Sequence, residues 1–182
     1  MPDASPPALT PVSYIVLGML AQHGPATSYT LKGWVDGSVG HFWTFPRSQL
    51  YAEPQRLAGL GLLLAEQEEG GRRRRLFRVT EAGRAALAAW LATPAGAGEL
   101  RDPGLLRLYF AGQGNADTVQ QTVRQIAAEQ LRLHREQLNA YRTINAAGQA
   151  TVAATLRMGL LYEEASVGFW SGLLEGGAPD AD

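Results

Sequence analysis

"LLLAEQEEGGRRRRLFRVTEAG", residues 62–83, is the stretch on which the fold turns. Leu62 to Glu68 reads as a strand, Glu69-Gly70-Gly71-Arg72 supplies turn chemistry, and Arg73 to Val79 reads as a return strand with Phe77 and Val79 on one face. Thr80 stands where a helix cap is needed, ahead of a helix whose Ala85, Ala86, Leu87, Trp90 and Leu91 pack back. The stretch is thus a β-hairpin with Arg72, Arg73, Arg74 and Arg75 at its tip and Arg78 on its return strand. Like charges in a row repel one another, and the return strand carries no acid to offset them.

Upstream, Val12, Ile15, Val16, Met19 and Leu20 form a helical stripe that stops at Gly24-Pro25. Ser28 is the expected cap of a second helix with Leu31, Trp34 and Val35 on one face and Val39 at its end. After the aromatic stretch "GHFWTFP", Ser48 is the expected cap of a third helix, with Leu50, Pro54, Leu57 and Gly61 on its inner side. Ser48, Gln49, Ala52, Gln55 and Arg56 then face outward, with Tyr51 at the flank. Pro54 removes the bond to the Leu50 carbonyl, at roughly 3 kcal/mol in a regular helix, and predicts a kink there.

Three helices, a hairpin and a helix make up the order of a winged helix-turn-helix, in which the third helix enters the major groove and the hairpin lies along the backbone. Arginines at the hairpin tip then neutralise phosphates and release counterions. Taken alone, the charge run equally fits a solvated loop; its position after a three-helix unit favours double-stranded DNA. Ser48, Gln49, Tyr51, Gln55 and Arg56 are the candidate DNA contacts of the third helix, and Arg72, Arg73, Arg74, Arg75 and Arg78 those of the hairpin. Gln49, in the first turn, is the expected base reader and Arg56 the expected phosphate contact.

Downstream, "TPAGAGELRDPG" has little to bury and marks a domain boundary near residue 95. The rest reads as helical: a short helix at 105–111, a long one from Asp117 to Ile144 with Val119, Val123, Ile126, Gln130, Leu133 and Gln137 on a heptad-like seam, and a last one from Thr151 to Leu174. The last helix carries a stripe of Val152, Leu156, Leu160, Val167, Trp170 and Leu174 and a second of Met158, Tyr162, Phe169 and Leu173. A helix apolar on two sides needs two partners and the chain has one to give, so a homodimer is expected, with Leu156, Leu160, Val167, Trp170 and Leu174 at its seam. Glu163 falls at the edge of the first stripe, half-exposed, or else paired with an arginine across the seam.

At 182 residues with 46% apolar composition, the chain suits one or two globular domains. The net charge of −1 hides an asymmetry: residues 1–95 carry nine Lys+Arg against seven Asp+Glu, and residues 96–182 seven against ten. Without cysteine there is no disulfide or thiolate site. With no secretory pattern and no long apolar run, a cytoplasmic protein with a frayed N-terminus and no membrane contact is expected. His23, His41 and His134 lack a second ligand at helical spacing, and there is no phosphate loop or nucleophile elbow, so neither an enzyme nor a metal or other cofactor is expected.

The blocks "YIVLGMLAQHGPATSYTLKGWV", "FWTFPRSQLYAEPQRLAGLGLL", "RRRRLFRVTEAGRAAL" and "LRDPGLLRLYFAG" resemble those of the PadR family of bacterial transcriptional regulators, in the subgroup with a C-terminal virulence-activator-like domain. The resemblance spans residues 12 to 175. It implies a mainly α fold with a small β-hairpin, a winged helix-turn-helix domain at 1–95 and a helical dimerisation domain at 96–182. The implied function is sequence-specific repression from a pseudo-palindromic operator, as a cytoplasmic homodimer. Two alternatives stand beside it: a regulator responsive to a small aromatic or drug-like effector held by Trp90, Tyr109, Phe110, Phe169 and Trp170, and a protein-interaction scaffold that does not bind DNA.

Overall fold

The computed structural model describes residues 8–67 and 74–176, which divide into two compact units, Met1–Gly96 and Ala97–Asp182. In the first unit, Thr10 and Ser13 form a reciprocal capping box that starts α1 (Pro11–His23). Its buried face is Val12, Ser13, Val16, Leu17 and Leu20, so the stripe is rotated from the expected one, and Ile15 and Met19 are only partly covered. The cause is packing on several sides: α1 meets α2 (Ser28–Asp36), α3 (Gln49–Gly59), α4 (Glu81–Leu91) and strand β2 (Arg75–Val79). Its buried sector is therefore wider than one stripe.

The cap of α2 is Thr27, whose hydroxyl accepts from the Thr30 amide at 3.2 Å, and Ser28 is already helical. Leu31 and Val35 are buried, while Val39 lies beyond the helix in a 3₁₀ turn, Val39–His41. Ser48 makes no side-chain cap of α3, because its own backbone is helical (φ −57°, ψ −29°) and directs the hydroxyl away from the first amides. The first turn closes instead through Gln49 to Pro46 and Leu50 to Arg47 backbone bonds. Leu50, Pro54 and Leu57 are buried as the spacing predicts, and the helix runs unbroken across Pro54. Gly61 lies past the helix end, where its φ of +72° turns the chain into β1 (Leu63–Gln67).

β1 and β2 pair antiparallel in register from Leu63↔Val79 to Gln67↔Arg75. Facing partners share a side of the ribbon, so Leu63, Phe77 and Val79 enter the core while Leu64, Glu66, Leu76 and Arg78 take the other face. The expected turn, Glu69-Gly70-Gly71-Arg72, and the strand ends Glu68 and Arg73 lie outside the described residues. A further bridge joins Phe77 to Ala26 through two backbone bonds of 2.8 and 3.1 Å. Thr80 caps α4, as expected, by accepting from Gly83. A Cβ on Gly83 would stand 2.2 Å from the Leu62 carbonyl oxygen, so only glycine lets the hairpin exit and α4 approach this closely. Of the α4 residues expected to pack back, Ala86 and Leu87 are partly buried, whereas Ala85, Trp90 and Leu91 are exposed; Trp90 stacks on Tyr14 at 4.5 Å instead.

In the second unit, Asp102 caps α5 (Pro103–Phe110) through two backbone amides. α6 (Val119–Arg142) and α7 (Ala150–Gly176) then pack along each other. The buried residues of α6 are Val123, Ile126, Ala127, Leu131, Leu138 and Tyr141, not the expected seam through Gln130, Leu133 and Gln137. The expected seam and the observed one both recur at about 3.6 residues, so they differ in rotation rather than period: α6 is turned about its axis so that Leu131 and Leu138, and not Leu133, face inward. Gln130 lies against the Cα of Gly104.

On α7 the first stripe serves its own chain, and Leu173 of the second stripe is buried with it. Trp170 is 1% exposed in a cluster with Ile126, Ala127 and Leu131, and Val167 and Leu174 pack against it. Leu156 and Leu160 are partly buried on the same side. Of the residues expected at a dimer seam, Val167, Trp170 and Leu174 thus belong to the α6–α7 core and Leu156 and Leu160 are half-covered, while Met158, Leu161, Tyr162 and Phe169 are exposed. Glu163 is neither half-exposed nor paired with arginine: it is 6% exposed, and its Oε2 lies 2.6 Å from Nδ1 of His134 on α6. Gly159, one turn away, leaves room for the Tyr141 ring, which a Cβ would meet at 2.7 Å.

Breaking this pair one side at a time strands a buried polar group. Glu163→Leu and His134→Leu are each expected to destabilise the chain by about 1 to 3 kcal/mol, and the double variant by less than the sum. Denaturant unfolding of the four proteins of the cycle measures this, and strict additivity would mean that the two groups are uncoupled.

Candidate nucleic-acid interface

Three elements of the first unit meet at an open groove of about 850 Å³. The start of α2 contributes Thr27, Ser28 and Tyr29, α3 contributes Tyr51 and Gln55, and β2 with the residue before it contributes Arg74 and Arg75. The bridge between Ala26 and Phe77 creates this arrangement, because it pins β2 beside the residues that lead into α2. Amides in the first turn of a helix lack intrahelical partners and carry the positive end of its dipole, so the start of α2 and the two arginines give the groove one sign of potential.

Arg75 donates from Nη1 to Oε1 of Gln55, joining hairpin to helix. Arg74 lines the same groove. Ser48 and Gln49 are exposed on the first turn of α3 and do not line it. Arg78 faces the opposite side of the ribbon, 3.9 Å from Glu66. Arg72 and Arg73 lie outside the described residues.

Arg56 is engaged inside the unit. Its Nε donates to Glu53 Oε2 at 2.9 Å, and its Nη2 donates to Glu53 Oε1 at 2.7 Å and to the Ser13 hydroxyl at 3.0 Å. Ser13 in turn donates to Glu53 at 2.5 Å, closing a triangle between α1 and α3. Hydrogen bonding from Arg56, joined by Ser13, holds the Glu53 carboxyl below its usual range against the opposing pull of burial, and Glu53 raises Arg56. The i, i+3 spacing of Glu53 and Arg56 signals this pair in the sequence; the partner on α1 was legible only as a serine beside an apolar stripe.

Sequence reasoning also missed Tyr29, the most exposed aromatic of this surface at 79%, and the capping Thr27 beside it. The run "ATSYT" was the available signal: small hydroxyl residues at a helix start, with an aromatic among them. Between α2 and α3, Arg47 bridges to Asp36 at 2.8 Å and lies over the Phe45 ring, while Lys32 pairs with the same Asp36 at 2.6 Å. Of the aromatics considered for an effector, Trp170 is buried, whereas Trp90, Tyr109, Phe110 and Phe169 are exposed. Among the described residues no three His, Cys, Asp or Glu side chains converge as metal ligands, and no helix is long and apolar enough to cross a membrane.

Residues 16–89 match the Transcriptional regulator PadR-like family, and residues 100–171 match the Virulence activator alpha C-term domain. Over 102 residues, 54% of the chain, there is 26% identity to the Negative transcriptional regulator PadR of Bacillus subtilis (strain 168); the match spans 56% of that protein, little more than half its length. The PadR-like transcriptional regulator BC1756 from Bacillus cereus superposes with a TM-score of 0.78 at 19% identity, over 94% of this chain and 98% of that one. Bacillus subtilis PadR in complex with operator DNA gives 0.75 at 20% identity, over 90% and 97%. The same protein with p-coumaric acid gives 0.68 at 20%, over 92% and 97%. The Vibrio cholerae virulence activator AphA gives 0.66 at 25%, over 90% and 96%. The fold is thus that of winged-helix regulators, and these relatives are transcriptional regulators rather than enzymes.

The depressed pKa of Glu53 fixes the sign of an acid effect. Its ionised form is favoured in the folded state, so the contribution is complete above the ordinary glutamate pKa and is lost as pH falls through the lower folded value. Glu53→Gln is expected to cost about 1 to 3 kcal/mol near neutral pH. The gap to wild type should narrow on acidification, as measured by urea unfolding across pH; a constant gap would mean that the carboxylate charge does not contribute.

Proposed function

Because the chain belongs to the PadR-like family of transcriptional regulators, with the virulence-activator alpha module behind its winged helix, we propose that it represses transcription in the cytoplasm by binding a pseudo-palindromic operator as a homodimer. In this reading residues 1–95 bind DNA and residues 96–182 pair two copies. The observation that carries it is the groove in which α3, the start of α2 and the hairpin arginines converge. With α3 in the major groove, Ser48 and Gln49 meet base edges and Tyr51 reaches a phosphate through its hydroxyl. Arg74 neutralises backbone charge at the groove, Arg72 and Arg73 are assigned to phosphates from their place in the sequence, and the first amides of α2 take a phosphate oxygen. Arg56, closed in with Glu53, is left out of this set, and Arg78 serves only DNA that reaches the outer face of the ribbon.

Pairing rests on the second apolar face of α7. Met158, Leu161, Tyr162 and Phe169 are exposed along one helix, and a run of large apolar side chains of this kind marks an association surface. This replaces Leu156, Leu160, Val167, Trp170 and Leu174 as the seam. A second reading, control by an aromatic acid, is favoured by an apolar hollow of about 360 Å³ between α5 and α6, lined by Leu106, Phe110 and Ile126 with Arg107, whose guanidinium donates to Glu129 at 3.2 Å. Equilibrium dialysis with p-coumarate tests it, and undiminished binding to Phe110→Ala would rule out that hollow.

Selection of DNA from a random pool by the full-length protein should yield a palindromic motif. Arg74→Ala should weaken binding to all sequences alike and flatten the slope of log K against log salt by about 0.9, whereas Gln49→Ala should relax one position in each half-site and leave the slope intact. Phe169→Glu should give a monomer in sedimentation, with its helical signal retained and operator affinity lost. A dimeric Phe169→Glu protein would remove this face from the interface.

A further inference from the structure

The contact between Arg75 and Gln55 joins residues twenty apart in sequence, where hairpin and α3 converge. Phe77 is fastened to Ala26, and Arg75 stands two residues before it, at the start of β2 and on the same side of the ribbon, so its guanidinium is carried over the exposed face of α3. There it meets Gln55, which lies opposite the buried Leu50, Pro54 and Leu57. A guanidinium has only donors, and a glutamine amide has one acceptor oxygen and one NH₂ group. The pairing therefore admits a single orientation of the amide: Oε1 faces Arg75 and the NH₂ group is directed elsewhere.

We propose that Arg75 is a positioning residue for base recognition, holding the Gln55 amide so that its NH₂ group is offered to an acceptor on a base edge. The inference rests on α3 entering the major groove. Acceptors on that edge are N7 and O6 of guanine, N7 of adenine and O4 of thymine, whereas cytosine presents only its N4 donor. The base read by Gln55 is accordingly any but cytosine. A wing arginine whose charge would otherwise go wholly to the phosphates thus takes part in sequence discrimination, and hairpin and recognition helix read as a coupled pair.

The test is binding selection from a random DNA pool with full-length wild type, Gln55→Ala, Arg75→Ala, Arg75→Lys, Gln55→Glu and the double alanine variant, together with salt titrations. Both residues are on the surface, and thermal melts establish that the variants are folded. Gln55→Ala and Arg75→Ala should each lose discrimination against cytosine at the same position by roughly fivefold or more, and the double variant should be no worse than Gln55→Ala alone. Arg75→Lys, which keeps a cationic donor, should restore part of the preference. Gln55→Glu, which keeps the partner for Arg75 but offers acceptors in place of the NH₂ group, should turn the preference toward cytosine. If Arg75→Ala keeps the wild-type preference at every position while the salt slope flattens by about 0.9, Arg75 is a phosphate contact and the inference fails. A wild-type protein that enriches no motif at all would instead overturn the DNA-binding reading beneath it.

Discussion

Two backbone hydrogen bonds between Ala26 and Phe77 fasten the hairpin to the helical part of the first unit, and the geometry of the proposed interface depends on them. Phe77 is buried with Val79 and Leu63, so the register of the ribbon is held by burial as well as by the bridge. A slip by one residue would turn Phe77 to solvent and carry Arg75 to the far side, away from Gln55. The close approach at Gly83 acts on the same element from the other end, since it brings the start of α4 against Leu62, just before β1. Hairpin position is thus set at both ends by backbone contacts, which side-chain variation at the exposed positions leaves alone.

The second unit is organised around a different constraint. α6 and α7 share an apolar cluster around Trp170 and Ile126, and a buried polar pair, His134 with Glu163, lies farther along the same interface. Apolar contacts tolerate sliding, whereas a hydrogen-bonded pair with the Tyr141 ring seated against Gly159 permits one alignment of the two helices. That alignment decides which side of α7 is left over. With Trp170 turned inward, Met158, Leu161, Tyr162 and Phe169 line the remaining side.

Much of the first unit was legible because its elements carry independent local signals. The hairpin showed in alternation around Phe77 and Val79, the fourth helix in its Thr80 cap, and the inner face of α3 in the spacing of Leu50, Pro54 and Leu57. What sequence did not yield depends on tertiary partners. Leu17 is buried because α1 is surrounded, Arg56 is engaged because Ser13 stands across from it, and Glu163 is buried because a histidine on α6 meets it. None of these follows from periodicity along one helix. The two stripes of α7 were visible, but which one the chain keeps for itself follows from the tertiary alignment of the two helices, which turns Leu131 and Leu138 rather than Leu133 of α6 to the interface.

The closing of Arg56 onto Glu53 leaves α3 without a free charge on its exposed side, where Ser48, Gln49, Tyr51, Ala52 and Gln55 stand. Long-range attraction to a polyanion then resides in the hairpin, and short-range contacts reside in the helix. Long-range charge attraction governs how fast two molecules meet, while close, well-fitted groups govern how long they stay together. In the proposed complex the hairpin charge accordingly sets the rate of arrival and the ease of sliding on any duplex, and α3, with Arg75 held against Gln55, sets the residence time at the right one. A lineage of such proteins can change its target sequence through α3 without altering how quickly it searches the chromosome.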